Sequence, residues 1–450
     1  MRILPTLSSP ALNLLKGPKG LLLLIIAIAA LLRLWDLPNI PPGLYPDEAM
    51  NGNNALEALA TGDSKVFYPE NNGREGLFIN IQSVSLALFG NEPWALRLPS
   101  ALFGILTVLG IYFLTRELFK DGYEIRNEYE STKDRNKKGS YIRNSFVSRK
   151  EAIALLAAFL LAVSFWHINF SRIGFRAIMA PAFLTWGVYF LLLSFNRITI
   201  AISKLNHSKL IRNSKFEIRN LLFLPALAGL VYGLGMHSYI AYRATPLLIL
   251  FIIAAYWLKN KNSEVRKKML FAICALLFAA ILVFLPLGIH FLNNPPDFFG
   301  RTTQVSVFTS DAPLQNLALN TLKTFGMFNF AGDYNWRHNL SGQPQLFWPV
   351  GIMFLVGLFT AFRYVIRDTR YQILIAWLGA AMLPVVISNE GMPHALRAIL
   401  MIPPVFILSA VGGMAIYNFF ARKTSAFSGK NTLALKTVSL FLLLFILLNS

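Results

Sequence analysis

Apolar runs long enough to cross a membrane recur from one end of this 450-residue chain to the other. A hydrocarbon core about 30 Å thick takes roughly 20 residues of helix to cross and offers no water to a peptide group. A chain built from many such runs must therefore fold as a bundle of helices. The first run is LLLLIIAIAALL, Leu21 to Leu32. A cleaved signal peptide is the alternative for it, since Lys16 and Lys19 precede it as a charged flank would, but nothing downstream reads as a soluble secreted domain. Composition agrees with the membrane reading: 55% of the residues are hydrophobic and 14% are charged, against about 25% charged in a soluble domain. We read an all-α polytopic membrane protein of about eleven spans. Their cores fall near 18–36, 96–118, 151–168, 176–195, 221–239, 244–258, 269–290, 346–365, 371–388, 395–419 and 437–449.

The net charge of +20 raises the question of nucleic acid, and its distribution answers it. Basic clusters at 120–150, 197–219, 259–268, 363–370 and 422–436, with Arg2, Lys16 and Lys19, hold 30 of the 42 lysines and arginines and fall on every second loop. That is the positive-inside pattern, with a cytoplasmic N-terminus in a plasma membrane and no nucleic-acid partner. The single cysteine, Cys274, lies in an apolar segment and encodes no disulfide framework. We treat 1–450 as one transmembrane domain. Its first outer loop is 37–95 and its second is 291–345. Segments 120–150 and 196–220 read as low-complexity cytoplasmic loops, because they repeat words such as YEIRN, LIRNS and FEIRN. The last span closes on LFILLNS, either at the outer surface or in a chain that runs on.

The charges left on the outer side are few. In LYPDEAMNGNN, Asp47 stands where a helix cap would, ahead of EAMNGNNALEALATG with its stop at Gly62, and Glu48 suits the first turn of a helix dipole. GLFINIQSVSLALFG, 76–90, is apolar around much of its circumference and reads as a helix in the membrane interface. Arg97 and Arg243 each end a span, where they either snorkel or join a site. Arg172 and Arg176 are four apart, so a helix starting there presents both guanidinium groups on one face, and an anion such as phosphate between them would relieve their repulsion. NEGMPHALRAIL puts Glu390, His394 and Arg397 at helical spacing as well, with His394 open to a structural, catalytic or metal-ligating role. Tyr239 and Tyr242 fit an interfacial aromatic belt or a substrate contact. No compact ligand motif is present, so the expectation is no metal cofactor, with a divalent ion as the alternative.

The order of these words carries a resemblance. YPDEAMNGNNALEALATGD and the run NNGREGLFINIQSVSLALFGNEPWALRLPSALFG precede FSRIGFRAIMAPAFLTWG and a late MPHALRAILMIPPVFILSAVGG. Together they resemble the lipid-dependent glycosyltransferases of the GT-C fold, the group that holds the protein O-mannosyltransferases and the aminoarabinose transferase of lipid A. The resemblance covers most of the chain and is strongest over 43–119.

It implies a GT-C-type bundle with interfacial helices in the first outer loop. It also implies an active site on the outer face and a sugar donor carried on a polyprenyl phosphate. Asp47 would be the general base and Glu48 its neighbour. Arg172, Arg176, Arg74 and Arg397 would be available to the carrier phosphate, with Arg97, Arg243, Tyr242 and His394 completing the substrate side. This chain departs from the aminoarabinose transferases in one word, having GREGLF where they have Lys-Pro-Pro, which makes Arg74 the substitute cation. The acceptor would be a lipid, glycan or protein hydroxyl. Inverting transfer needs a base on one face of the sugar and cations at the departing phosphate on the other, and both halves are present. A transporter or flippase of lipid-linked sugars is the alternative. Convergence of Asp47, Arg172, Arg176 and Arg397 on one outer cavity would discriminate between them.

Overall fold

The computed structural model describes residues 17–120, 148–207 and 215–425. The span expected at 437–449, most of the loop expected at 120–150 and residues 208–214 of the one expected at 196–220 lie outside the described residues; the rest of 196–220 is helical, continuing the helices Met179–His207 and Lys215–Gly235. A helix covers each of the other ten expected cores. By length and apolar composition six of them are able to cross a membrane, or seven if the bent pair Arg149–Ala162 and Phe165–Arg172 makes one span.

The bundle begins with α1 (Pro18–Leu34), and the first outer loop follows with α2 (Pro46–Thr61), the strands β1 (Phe67–Tyr68) and β2 (Arg74–Glu75), and α3 (Leu77–Phe89). Then come α4 (Pro93–Leu118), α5 (Arg149–Ala162), α6 (Phe165–Arg172), α7 (Met179–His207), α8 (Lys215–Gly235), α9 (Pro246–Lys259) and α10 (Ser263–Asn293). The second outer loop holds α11 (Pro295–Gln304) and α12 (Pro313–Gly326), and α13 (Trp348–Tyr364), α14 (Thr369–Val386) and α15 (Ile402–Ser425) complete the described bundle.

Burial separates the centre of the bundle from its rim. The segment Arg397–Ala421, which contains most of α15, has 83% of its apolar window buried, whereas α10 has 22% and turns Phe271, Phe278, Ile281 and Leu282 outward as a lipid-facing helix does. Between membrane helices there is no water to expel, so close backbone approach supplies the packing. Gly229 and Gly233 of α8 lie one turn apart, and a Cβ on either would collide with the carbonyl of Leu276 or Ala280 on α10. Gly357 of α13 and Gly412 of α15 meet in the same way, against the carbonyls of Leu408 and Met353.

Two further features shape the outer side. A short hairpin pairs Phe67 with Glu75 and Tyr68 with Arg74, and its turn runs through Asn71, Asn72 and Gly73 at positive φ. Strands of two residues are too short to show an alternating pattern. The second outer loop contains α12, which is amphipathic in the opposite sense to a soluble helix. Leu314, Leu322 and Phe325 face outward, while Asn320 is buried and donates to the carbonyls of Val386 (3.1 Å) and Ser388 (2.8 Å).

The glycine contacts give a direct test. Gly412→Val forces α13 and α15 apart and should cost about 1–3 kcal/mol, read as a lower unfolding temperature by tryptophan fluorescence in detergent. Gly379→Ala, where an added Cβ meets nothing within 4 Å, should stay within about 0.5 kcal/mol of wild type.

Candidate active site

The site is assembled from the chain's exit out of the first span. Tyr45 caps α2, Pro46 opens it, and Glu48 accepts the Tyr45 backbone N–H at 2.9 Å. Asp47 is therefore not the cap, as the sequence suggested, but the second residue of the first turn. Successive helical residues point about 100° apart, so the two carboxylates face different surroundings. Glu48 is fully buried and accepts from Arg97 Nε (3.0 Å) and from the Gly174 N–H (2.7 Å). It does not line the cavity described below, so of the two roles open to a neighbour of the base, positioning the acceptor or tuning the base, the first does not fit its place.

Arg97 and Arg172 are corrected too. Arg97 donates to the carbonyls of Leu37 (3.3 Å), Pro41 (2.8 Å) and Gly43, and Arg172 to those of Leu32 (2.8 Å), Trp35 (2.7 Å) and Ile40 (2.8 Å). Their guanidinium groups hold the backbone that leaves the first span and are absent from the cavity lining. Arg172 and Arg176 do not share a helical face either, because α6 ends at Arg172 and Ile173 is extended before a short 3-10 turn begins at Arg176. Tyr242 is also fully buried, packed on Tyr232 at 5.5 Å between centroids and on Gly235, since the 3-10 turn Ile240–Ala244 turns it inward.

Six of the residues expected at the site, Asp47, Arg74, Arg176, Arg243, His394 and Arg397, line one cavity of about 1020 Å³. Asp47 is partly exposed there, oriented by Arg337 Nη1 (3.1 Å) and Asn71 Nδ2 (2.7 Å), and Arg337 lies over the Tyr45 ring at 4.2 Å. Arg74 is buried with its two terminal nitrogens on Asn51 (2.6 Å) and Asn54 (2.5 Å). The nearly buried carboxylate of Glu75 lies between Arg176 (3.0 Å) and Arg243 (3.6 Å). Glu390 bridges Arg397 (2.7 Å) and Arg301 (3.2 Å).

Glu390, His394 and Arg397 come together through an irregular segment that carries Pro393, not along one helix as their spacing suggested, and the 3-10 turn begins only at Arg397. Burial, followed by Arg397, His338, Arg337 and Arg301, holds the His394 imidazole well below its usual range, so it is neutral. The roles of Glu75, Arg301, Arg337 and Glu390 were not assigned from sequence. Their one signal was that each is a charge on a side with few.

With Arg74, Arg176, Arg243, Arg301, Arg337 and Arg397 against Asp47, Glu75, Asp297 and Glu390, the lining is net basic and suited to an anion. Among the described residues, Asp333, His338 and His394 alone form a group able to offer three metal ligands.

Comparison with known proteins bears on this arrangement. Residues 77–123 match the sequence model of the dolichyl-phosphate-mannose-protein mannosyltransferase family. The fold superposes on the archaeal oligosaccharyltransferase AglB of Archaeoglobus fulgidus in complex with an inhibitory peptide and a dolichol-phosphate, with TM-score 0.56 and 15% identity over 96% of this chain and 54% of that one. It also superposes on ArnT of Cupriavidus metallidurans. In the apo state the TM-score is 0.53 at 14% identity, over 87% of this chain and 59% of that one. Bound to undecaprenyl phosphate it is 0.51 at 14% identity, over 92% and 66%.

The chain has the GT-C fold. It spans about half the length of the oligosaccharyltransferase. No curated protein matches the chain in sequence.

The division between Glu48 and Asp47 is open to measurement. Glu48→Ala or Arg97→Ala strands a buried charge and should cost about 3–5 kcal/mol of stability. Asp47→Asn disturbs a partly exposed pair and should cost about 1 kcal/mol or less. Thermal unfolding of the three variants in one detergent compares them, and equal losses would contradict the division.

Proposed function

We propose that this GT-C-fold membrane protein moves a sugar from a polyprenyl-phosphate carrier to an acceptor hydroxyl of a lipid, glycan or protein. The observation that carries the reading is the joining in one cavity of a partly exposed carboxylate, Asp47, with arginines contributed by several separate segments. The dolichol-phosphate on the similar oligosaccharyltransferase and the undecaprenyl phosphate on the similar ArnT support a lipid-phosphate donor. On the positive-inside pattern the N-terminus is cytoplasmic and the cavity opens at the outer face of the plasma membrane. The whole chain then acts as one transmembrane glycosyltransferase domain, with 37–95 as its catalytic loop.

In this mechanism the acceptor oxygen attacks C1 of the sugar while Asp47 takes the hydroxyl proton. The bond from C1 to the phosphate oxygen breaks, and its electron pair leaves on the carrier phosphate. Attack and departure on opposite faces invert the anomeric centre. Arg176 and Arg243, already drawn together by Glu75, are placed to stabilise the departing charge, with Arg74 behind them. Arg337 and Asn71 fix the direction of Asp47. Arginine in this role carries the phosphate charge without a metal ion.

The test is sugar transfer from a radiolabelled polyprenyl-phosphate sugar pool in membranes holding matched amounts of wild type or Asp47→Asn. Transfer should fall by about 10²–10⁴-fold. Equal transfer by both proteins would remove Asp47 from the reaction. Failure of the folded wild type to consume any such donor would favour a transporter of lipid-linked sugars.

A further inference from the structure

We propose that Asp333, His338 and His394 form a zinc site that fastens the second outer loop to the segment leading into the last described helix. The three side chains come from two stretches of chain separated by about a whole membrane hairpin, α13 and α14, and converge with their ligand atoms all within 4.8 Å of one another. Asp333 and His338 are buried, and His394 is mostly so. The Asp333 Oδ2 lies 3.0 Å from His338 Nδ1 and 3.8 Å from His394 Nδ1. A tetrahedral ion with bonds of about 2.0–2.1 Å sets its ligands roughly 3.3 Å apart, so small shifts would seat it.

The surroundings fit an ion. The two imidazoles are stacked, with centroids 4.9 Å apart and planes at 28°, a pairing in which nitrogens rather than apolar edges are gathered at one carboxylate. The carboxylate is itself fixed from behind, since Oδ2 accepts the Ala395 N–H at 2.8 Å and Oδ1 the Asn335 N–H at 2.8 Å, as the outer partners of a metal ligand do. A small cavity of about 160 Å³ opens on the same three residues and leaves room for a water as fourth ligand. The nearest cations are each engaged elsewhere, Arg337 with Asp47 and Arg397 with Glu390. Two histidines and one carboxylate are a zinc donor set.

The consequence is positional. Arg337 precedes His338, and Arg397 follows His394 by three residues, so an ion there would set two cavity arginines at once. Zinc binding does not depend on the transfer reading and is tested without it.

The experiment uses the full-length protein purified in detergent, stripped with a chelator, reloaded with a small excess of Zn²⁺ and dialysed free of unbound metal. Zinc content is then measured by mass spectrometry, and affinity by competition with a chromophoric chelator. The expected result is one tight zinc per chain, weakened about 100-fold or more in His338→Gln and His394→Gln. His290→Gln, which removes the other outer His–Asp pair (2.8 Å), should bind as wild type does. Where a variant fails to fold, Co²⁺ added to the wild type decides: an intense four-coordinate visible spectrum supports the site, and a weak octahedral one overturns it. No stoichiometric zinc on the folded wild type, or undiminished affinity in both histidine variants, also overturns it.

Discussion

The start of the first outer loop hangs from the buried pair of Glu48 and Arg97. The chain leaves α1 through an irregular segment whose carbonyls have no strand or helix to receive them, and a peptide carbonyl buried without a donor costs free energy comparable to a lost hydrogen bond. Arg97 and Arg172 meet that demand with six hydrogen bonds to residues between Leu32 and Gly43. Glu48 then neutralises Arg97 and reaches the Gly174 N–H. One carboxylate thus joins the first loop, the start of α4 and the stretch between α6 and α7. Because its oxygens are also the cap of α2, the direction of that helix is fixed by the same contact, and with it the direction of Asp47.

The acidic pair was legible in the sequence, while its division of labour was not. Two carboxylates after a span stand out among so few outer charges. Which one is buried depends on the phase of a helix that starts two residues earlier than an aspartate cap would place it, and on an arginine 49 positions away. The span pattern was readable for a similar reason of scale: 20 apolar residues form a strong signal, whereas the hairpin at 67–75 has two residues per strand.

Helical spacing misled at Arg172 and Arg176 and again at Glu390, His394 and Arg397. Both segments are irregular, and tertiary contacts decided them. Cavity residues such as Glu75 and Arg337 carry no local motif. Their placement follows from convergence of loops far apart in the chain, which spacing within one segment cannot express.

Five of the cavity arginines are paired with carboxylates that themselves line the cavity, and that separates them from the scaffold arginines. Arg97 and Arg172 are spent largely on carbonyls, and a carbonyl of the backbone cannot be withdrawn without breaking the chain's path. Arg176, Arg243 and Arg397 each donate to one carbonyl as well, of Gly73, Phe298 and Glu390, but these three, with Arg301 and Arg337, are also paired with carboxylates that line the cavity: Arg176 and Arg243 with Glu75, Arg301 and Arg397 with Glu390, and Arg337 with Asp47. A carboxylate pair keeps two cations close and desolvated in the absence of a ligand, at a cost that their mutual attraction offsets. A phosphate offers the same guanidinium groups more oxygens and more charge than one carboxylate does. An anion entering the cavity therefore meets cations already gathered, and it has only to share them with a side chain that can turn aside.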